Sequence, residues 1–185
     1  MPGKIRIIGG KWRGRQLKVI AASALRPTPD RIRETLFNWL ATQIVDARCL
    51  DLFAGTGALG FESLSRGAKQ VVFVESHLPA VNMLKSTIEN LGVQNACEVI
   101  FSDAVKWLQQ TPDTPYDVIF LDPPFSSPLL QQCLPLLESR VGPHTLIYIE
   151  ARNVLNHNTL PTHWQILKQK TAGEVAYHLV QGSAK

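Results

Sequence analysis

The stretch CLDLFAGTGALG, residues 49–60, constrains the fold of this chain more than any other part of its sequence. Its apolar start predicts a strand, Gly55 and Gly57 predict a turn, and Ala58 to Gly60 open a predicted helix. Glycines let a ligand approach the backbone closely, and a helix N-terminus offers unpaired N–H groups. The stretch therefore predicts a nucleotide-type cofactor site in a parallel α/β sheet.

Two carboxylates near this turn indicate the kind of cofactor. Asp51 precedes the glycines, where it would repel a pyrophosphate and attract a cation such as the ammonium and sulfonium of S-adenosylmethionine. Glu75 follows Gly55 by twenty residues, at the end of a second apolar run, where its carboxylate is expected to hold ribose hydroxyls. The alternative for Asp51 is a cap on the turn. One side chain can do both.

Strand and helix patterns alternate from residue 50 onward and predict the fold class. We expect a Rossmann-like, mostly parallel seven-stranded sheet that ends in an antiparallel hairpin of residues 164–171 and 174–181. Asp103 at the end of the third strand is expected to contact an adenine amino group or to cap the helix that follows it. The other predicted strands are 70–75, 97–104, 116–121 and 145–150, and the predicted helices are 58–66, 79–92 and one from Pro128 with a kink at Pro135.

The sequence Asp122-Pro123-Pro124-Phe125 follows the fourth predicted strand of the sheet. Because ligands of open α/β sheets lie beyond the carboxyl ends of the strands, Asp51 and Asp122 should face one cleft. Two consecutive prolines give a stiff turn without N–H donors, so carbonyl oxygens and the Asp122 carboxylate point outward as acceptors. Such acceptors suit a planar –NH₂ group, and Phe125 would stack on the ring that carries it. The alternative is a proline turn that only ends the strand.

Positive charge is concentrated at the N-terminus. Residues 1–33 carry nine Lys and Arg against one Asp, a net charge of +8, whereas the remaining 152 residues have a net charge of −4. Apolar residues around a glycine-bearing connection predict a basic N-terminal β-hairpin over residues 1–25, attached to a second domain over residues 26–185. The charge asymmetry predicts that this hairpin binds a polyanion such as RNA or, as the alternative, that its charge is solvated surface. Trp12 is expected to stack on an unpaired base or, as the alternative, to pack in a small core.

A helix with charged residues at its start precedes the first strand of the sheet. Thr28 is the predicted N-cap, with Pro29 at the first helical position and Asp30 favourable for the helix dipole. Arg31 and Arg33 in its first turns are expected near the cofactor and RNA, or alternatively on a solvated face.

Length and composition limit the remaining possibilities. The 185 residues suffice for one catalytic domain, and no apolar run reaches the roughly 18 residues that span a membrane. The start MPGKIRII has no signal-peptide pattern, so we expect a cytoplasmic protein. We also expect a monomer. Three scattered cysteines without a C-x-x-C pair, and five histidines without ligand spacing, predict neither disulfides nor a metal site.

Several runs resemble a known family. The runs DLFAGTGALG and DPPF resemble those of class I S-adenosylmethionine-dependent amino-methyltransferases. The further runs RIIGGKWRGRQL (6–17) and LRPTPDRIRETLFNWL (25–40) resemble the RsmD type of 16S ribosomal RNA guanine-N2 methyltransferase, and the likeness covers nearly the whole chain. The second run is the more specific, since glycine-turn and D-P-P-F motifs occur in many methyltransferases.

The resemblance implies methyl transfer from S-adenosylmethionine to the 2-amino group of one guanine in 16S ribosomal RNA, within small-subunit particles. It implies an amine site formed by Asp122, Pro123, Pro124 and Phe125. The implied cofactor contacts are Asp51, Phe53, Ala54, Gly55, Thr56, Gly57, Gly60, Glu75, Ser76, Asp103 and Ala104. The expected RNA contacts are Lys4, Arg6, Lys11, Trp12, Arg13, Arg15, Arg26, Arg31 and Arg33.

Other functions remain open from the sequence. An adenine-N6 or glutamine amide methyltransferase could use the same cleft, although those families more often carry Asn and Tyr where this chain has Asp122 and Phe125. A glutamine methyltransferase would have little use for the basic N-terminus. A nicotinamide-dependent oxidoreductase is disfavoured by Asp51, and a non-catalytic RNA-binding module would not need Glu75 and Asp103 at these positions.

Overall fold

A seven-stranded sheet organises the described part of the chain, which in this computed structural model comprises residues 4–18, 28–156 and 158–183. The strands are β1 (Lys4–Arg6), β2 (Gln16–Lys18), β3 (Arg48–Asp51), β4 (Gln70–Glu75), β5 (Cys97–Phe101), β6 (Tyr116–Leu121), β7 (Val141–Ala151), β8 (Gln165–Ala172) and β9 (Val175–Gln181). The helices are α1 (Asp30–Trp39), α2 (Ala58–Ser65), α3 (Leu78–Leu91), α4 (Ala104–Gln110) and α5 (Leu129–Leu137).

The order of strands in the large sheet is β5-β4-β3-β6-β7-β9-β8. Its first five strands run parallel to one another, and β9 pairs antiparallel with both β7 and β8. The predicted fold class is therefore confirmed, including the antiparallel hairpin that ends the sheet. The separate antiparallel pair of β1 and β2 is the predicted N-terminal hairpin.

Both faces of the sheet are buried along the central strands β3, β4 and β6, as their near-continuous apolar sequences require. Along β6, Val118 and Phe120 contribute to the core on one face, while Ile119 and Leu121 contribute to the core on the other. The first of these cores also includes Ile5 from β1. The N-terminal hairpin thus packs against the large sheet and its helices. The predicted domain boundary between residues 25 and 26 lies outside the described residues.

Capping residues in the sequence predict most of the helix ends correctly. Gly92 adopts the left-handed conformation that ends α3, and the Asp103 side chain caps α4 by accepting a hydrogen bond from the Lys106 N–H at 3.0 Å. The strand predicted over residues 97–104 is too long, because β5 ends at Phe101. The N-cap of α1 is Pro29, not Thr28, whose side chain instead points into the cleft described below. No helix in the described ranges has the length and apolar character to cross a membrane.

Candidate active site

A row of carboxylates lines the edge of the sheet where the parallel strands end. Each of the five neighbouring strands β5, β4, β3, β6 and β7 has an acidic residue within two positions of its carboxyl end. In sheet order, these residues are Asp103, Glu75, Asp51, Asp122 and Glu150. Since ligands of such sheets lie beyond the carboxyl ends of the strands, this edge is the candidate active site.

The glycine turn after β3 brings the backbone close to this edge. Gly55 and Gly57 have φ angles of 53° and 73°, a region that side chains with a Cβ rarely adopt. Gly57 is the N-cap of α2. A Cβ at Gly60 would overlap the Phe73 ring of β4, so only glycine allows α2 to lie this close to the sheet.

Glu75 fixes the turn from the neighbouring strand. Its Oε2 accepts a hydrogen bond from the Gly55 N–H at 2.7 Å, and its Oε1 accepts one from the His77 N–H at 2.7 Å. Each carboxylate oxygen has two acceptor positions, so one on each oxygen remains for the predicted ribose contact.

Asp51 is a buried acid without a described cationic partner. Its Oδ2 accepts a hydrogen bond from the Gly60 N–H at 3.1 Å, so the predicted capping role is confirmed. No lysine or arginine of the described ranges forms an ion pair with it. Burial raises the pKa of Asp51 to about 7, the Gly60 hydrogen bond opposes this rise and the charge of Glu75 adds to it. A cationic ligand beside Asp51 would favour its charged form.

The Asp-Pro-Pro-Phe turn stands next to Asp51, because β6 and β3 are hydrogen-bonded neighbours. The Pro124 carbonyl accepts hydrogen bonds from the Ser127 N–H at 3.0 Å and the Ser127 hydroxyl at 2.7 Å, and is engaged within the turn. The Asp122 carboxylate and the Pro123 carbonyl are the acceptors that the amine hypothesis requires. Phe125 is 40% exposed, which leaves its ring accessible for stacking.

Three residues that the sequence analysis did not assign to the site surround Asp122. The Thr28 hydroxyl lies 3.0 Å from Glu150 Oε1 and 3.3 Å from Asp122 Oδ2, and the Tyr148 hydroxyl donates a hydrogen bond of 2.7 Å to the same Glu150 oxygen. Glu150 and Tyr148 are buried on β7. The sequence contains a signal for Glu150, because the run TLIYIE ends in an acid, just as an acid lies at or just after the end of each of the four preceding parallel strands.

The remaining predicted cofactor residues all lie around the same edge. Phe53, Ala54 and Thr56 belong to the turn after β3, Ser76 follows Glu75, and Ala104 is the first residue of α4. Asp103 is exposed beside β4 and β5, so its predicted adenine contact is sterically open while it caps α4.

The N-terminal hairpin is fastened to α2 by polar contacts. The fully buried Glu62 carboxylate accepts hydrogen bonds of 2.8 Å from the N–H groups of both Ile8 and Gly9. The Ser65 hydroxyl donates to the Gly9 carbonyl at 2.6 Å and accepts from the Trp12 N–H at 2.9 Å. Because α2 begins at the glycine turn, the hairpin and the candidate cofactor site share one helix.

Two predicted RNA contacts need correction. Trp12 is only 8% exposed and belongs to the core, so the core-packing alternative is right and no indole face is open for a base. Arg33 is fully buried, with ion pairs to Asp30 at 2.6 Å and to Glu62 at 3.6 Å. Its guanidinium therefore holds the hairpin, α1 and α2 together and does not reach a phosphate.

Five of the other predicted RNA contacts have exposed side chains. The Arg26 prediction falls outside the described residues, and for Lys4 only its backbone place in β1 is described. Those with exposed side chains are Arg6, Lys11, Arg13, Arg15 and Arg31. The described ranges hold no group of three or more His, Cys, Asp or Glu suited to a metal ion.

Comparison with known proteins agrees with this geometry. The model of the family described as conserved hypothetical protein 95 matches residues 5–181. The chain is 46% identical over 185 residues to ribosomal RNA small subunit methyltransferase D of Escherichia coli (strain K12), covering 99% of this chain and 92% of that protein. It is 45% identical over 183 residues to the protein of that name from Haemophilus influenzae, covering 97% and 94%.

A solved structure has the same fold over its full length. The protein yhhF from Escherichia coli superimposes with a TM-score of 0.88 at 44% identity, covering 99% of this chain and 100% of that chain. The seven-stranded sheet, the glycine turn and the N-terminal hairpin of this chain all lie within the superimposed region.

Proposed function

We propose that this chain transfers a methyl group from S-adenosylmethionine to a guanine 2-amino group. The premise is that the chain belongs to the conserved hypothetical protein 95 family, the RsmD family. The chain is an rRNA methyltransferase whose substrate is the RNA of the small ribosomal subunit. What we propose beyond this is that the methyl group goes to the 2-amino group of a guanine.

One observation carries the proposal. The strands β3 and β6 are adjacent and parallel, with Asp51 in register with Phe120, so Asp51 and Asp122 stand side by side at one edge of the sheet. A cation beside Asp51 and an amine beside Asp122 would therefore be neighbours. Methyl transfer requires this adjacency, because much of its barrier is removed by holding the two reacting atoms in line.

The residues at this edge fit S-adenosylmethionine. Asp51 is buried without a described cationic partner, which suits the positively charged end of that cofactor. Glu75 keeps acceptor positions for ribose hydroxyls, and the glycines leave the backbone accessible. When bound, this cofactor supplies a methyl group on a sulfonium. The electrons of the S–C bond stay on sulfur when the methyl group is transferred.

Asp122 and the Asp-Pro-Pro-Phe turn would orient the acceptor base. A guanine 2-amino group is a weak nucleophile, because its lone pair is delocalised into the ring. Hydrogen bonds from its two N–H groups to Asp122 and to the Pro123 carbonyl would turn the lone pair toward the methyl group. Phe125, exposed at the rim, would stack on the guanine ring.

Transfer of a labelled methyl group tests the proposal. We expect S-adenosylmethionine to label small-subunit particles or naked 16S ribosomal RNA and to leave added protein unlabelled. A cytoplasmic location, a monomeric state and the particle as the preferred substrate belong to the same proposal. Label that appears only in protein would contradict it.

Alanine substitution of the cofactor carboxylates should weaken binding. We expect Asp51→Ala and Glu75→Ala each to weaken S-adenosylhomocysteine binding by roughly 1.5–3 kcal/mol, the range for a charge-assisted hydrogen bond. The measurement is titration calorimetry, with Glu89→Ala on the exposed side of α3 as the control that should bind normally. Unchanged affinity in both variants, or binding of NAD by the wild type, would remove these roles.

Charge reversal in the hairpin should weaken RNA binding and leave cofactor binding unchanged. Arg13 and Arg15 are exposed, so the double variant Arg13→Glu, Arg15→Glu should lower RNA affinity and flatten its dependence on salt concentration. The control reverses Lys168 and Lys170, two exposed residues of β8, and changes the net charge equally. Equal RNA affinity of both double variants at low salt would show that the hairpin charge is only solvated surface.

A further inference from the structure

Glu150 stands beside Asp122 and is held by two hydroxyl groups. The Tyr148 hydroxyl donates to Glu150 Oε1 at 2.7 Å, and the Thr28 hydroxyl lies 3.0 Å from the same oxygen. Thr28 also lies 3.3 Å from Asp122 Oδ2, yet its single hydrogen can be donated to only one of the two carboxyls at a time. One hydroxyl thus bridges the two acids, and Glu150 is fixed as an acceptor.

The described groups around this pair supply no compensating positive charge. Asp51 faces it from β3, and Tyr177 on β9 lies opposite Glu150 in the antiparallel register. No lysine or arginine in the part of the chain that the structure describes forms an ion pair with either carboxyl. A buried carboxyl next to a half-buried one, with no cation among the described residues, cannot ionise together with it at low cost.

The pKa directions agree with this geometry. Burial, the charge of Glu150 and then the charge of Asp51 hold the pKa of Asp122 well above its ordinary value. Burial also raises the pKa of Glu150, but hydrogen bonds from Tyr148 and Thr28 favour its charged form. A shared proton is therefore favoured on Asp122, with Glu150 as its acceptor.

We propose that Glu150 is a positioning residue of the reaction, which shares one proton with Asp122 and is held for this by the hydroxyls of Tyr148 and Thr28. The inference rests on the proposed function and deepens it. Asp122 then meets the target amine as half of a carboxyl pair with one negative charge. One oxygen of Asp122 accepts an N–H of the amine, and the shared proton occupies the side that faces Glu150.

The pair also provides a place for the proton that the reaction releases. The amine lone pair forms the N–C bond while the S–C bond breaks, and the electrons of the S–C bond stay on sulfur. The nitrogen then carries a positive charge and loses one N–H proton to the pair, which becomes neutral. That proton passes to solvent when the product leaves, and the pair returns to a single negative charge.

The first test uses the protein alone, without RNA or cofactor. Carboxyl ¹³C NMR titration of the wild type should show Asp122 and Glu150 titrating in two linked steps. In Glu150→Gln, which keeps an acceptor for Tyr148, Asp122 should titrate in one step, about 1 pH unit or more below the upper step of the pair. The control Glu98→Gln, on the exposed side of β5, should leave both steps in place. An unchanged Asp122 curve in Glu150→Gln would overturn the proposal.

Tyr148→Phe provides a second, milder variant with the opposite expected shift. It removes only the hydroxyl that stabilises charged Glu150, so the upper step of the pair should move to higher pH. This variant keeps the inference testable if Glu150→Gln does not fold. No shift, or a shift in the same direction as that of Glu150→Gln, would contradict the pairing.

The second readout is the pH dependence of single-turnover methyl transfer. The wild-type rate should fall at acidic pH only when both carboxyls are protonated. In Glu150→Gln, protonation of Asp122 alone removes the charged acceptor. The acid limb of this variant should therefore move to higher pH. A uniformly lower rate at every pH would mean that Glu150 is only structural. Absence of methyl transfer by the wild type would overturn the proposed function and leave the titration result standing.

Discussion

Replacing Asp122 by alanine should lower the single-turnover rate of methyl transfer by about 10²–10³-fold while cofactor affinity stays nearly unchanged. That range is the loss found when one positioned electrostatic partner of a reacting group is deleted. Asp122 has no hydrogen bond to the glycine turn, so its loss should leave the cofactor contacts of Asp51 and Glu75 in place. The measurement uses saturating S-adenosylmethionine and small-subunit particles that lack the modification.

The asparagine variant separates charge from shape at the same position. Asp122→Asn keeps an acceptor oxygen but neither the charge nor the shared proton, so its rate should lie between those of the wild type and Asp122→Ala. Thermal unfolding and calorimetry establish that both variants fold and bind cofactor. A near-normal rate for Asp122→Ala would mean that the amine is bound elsewhere.

Replacing Glu62 by alanine should lower the free energy of unfolding by about 3–5 kcal/mol, the cost of removing one partner from a buried charged network. The substitution removes the acceptor of the Ile8 and Gly9 N–H groups and of the Arg66 Nε, which it contacts at 2.7 Å. It also leaves the fully buried Arg33 without one of its two acidic partners.

Denaturant unfolding measures this loss, and hydrogen exchange over residues 4–18 reports whether the hairpin is released from α2. The matched control Glu89→Ala, an exposed glutamate of α3, should change the free energy of unfolding by less than about 0.5 kcal/mol. A loss below about 1 kcal/mol for Glu62→Ala, with unchanged protection of the hairpin, would contradict the structural role assigned to Glu62.

Much of the fold was predictable because its signals are local. The glycine turn, the helix end at Gly92 and the cap at Asp103 each depend on residues a few positions apart. The position of the candidate site at the ends of β3 and β6 followed from the general behaviour of parallel sheets. These features do not require knowledge of distant contacts.

The roles of Thr28 and Arg33 were predicted wrongly because their partners lie far along the chain. Thr28 has the sequence context of a helix N-cap, yet its hydroxyl is held by Glu150, 122 residues away. Arg33 resembles its exposed neighbours in the sequence, but its partner Glu62 lies on another helix. A charged residue in a sequence indicates a solvated or RNA-binding face only when it does not form a buried ion pair with a distant residue.

We propose that this chain methylates a guanine 2-amino group in the RNA of the small ribosomal subunit, and one measurement tests this directly. The most direct measurement supplies S-adenosylmethionine with a labelled methyl group to particles that lack the modification, digests the RNA and identifies the labelled nucleoside. We expect label in N2-methylguanosine with the wild type, and strongly reduced label with Asp122→Ala. Label in N6-methyladenosine, or no label in the RNA of these particles, would contradict it.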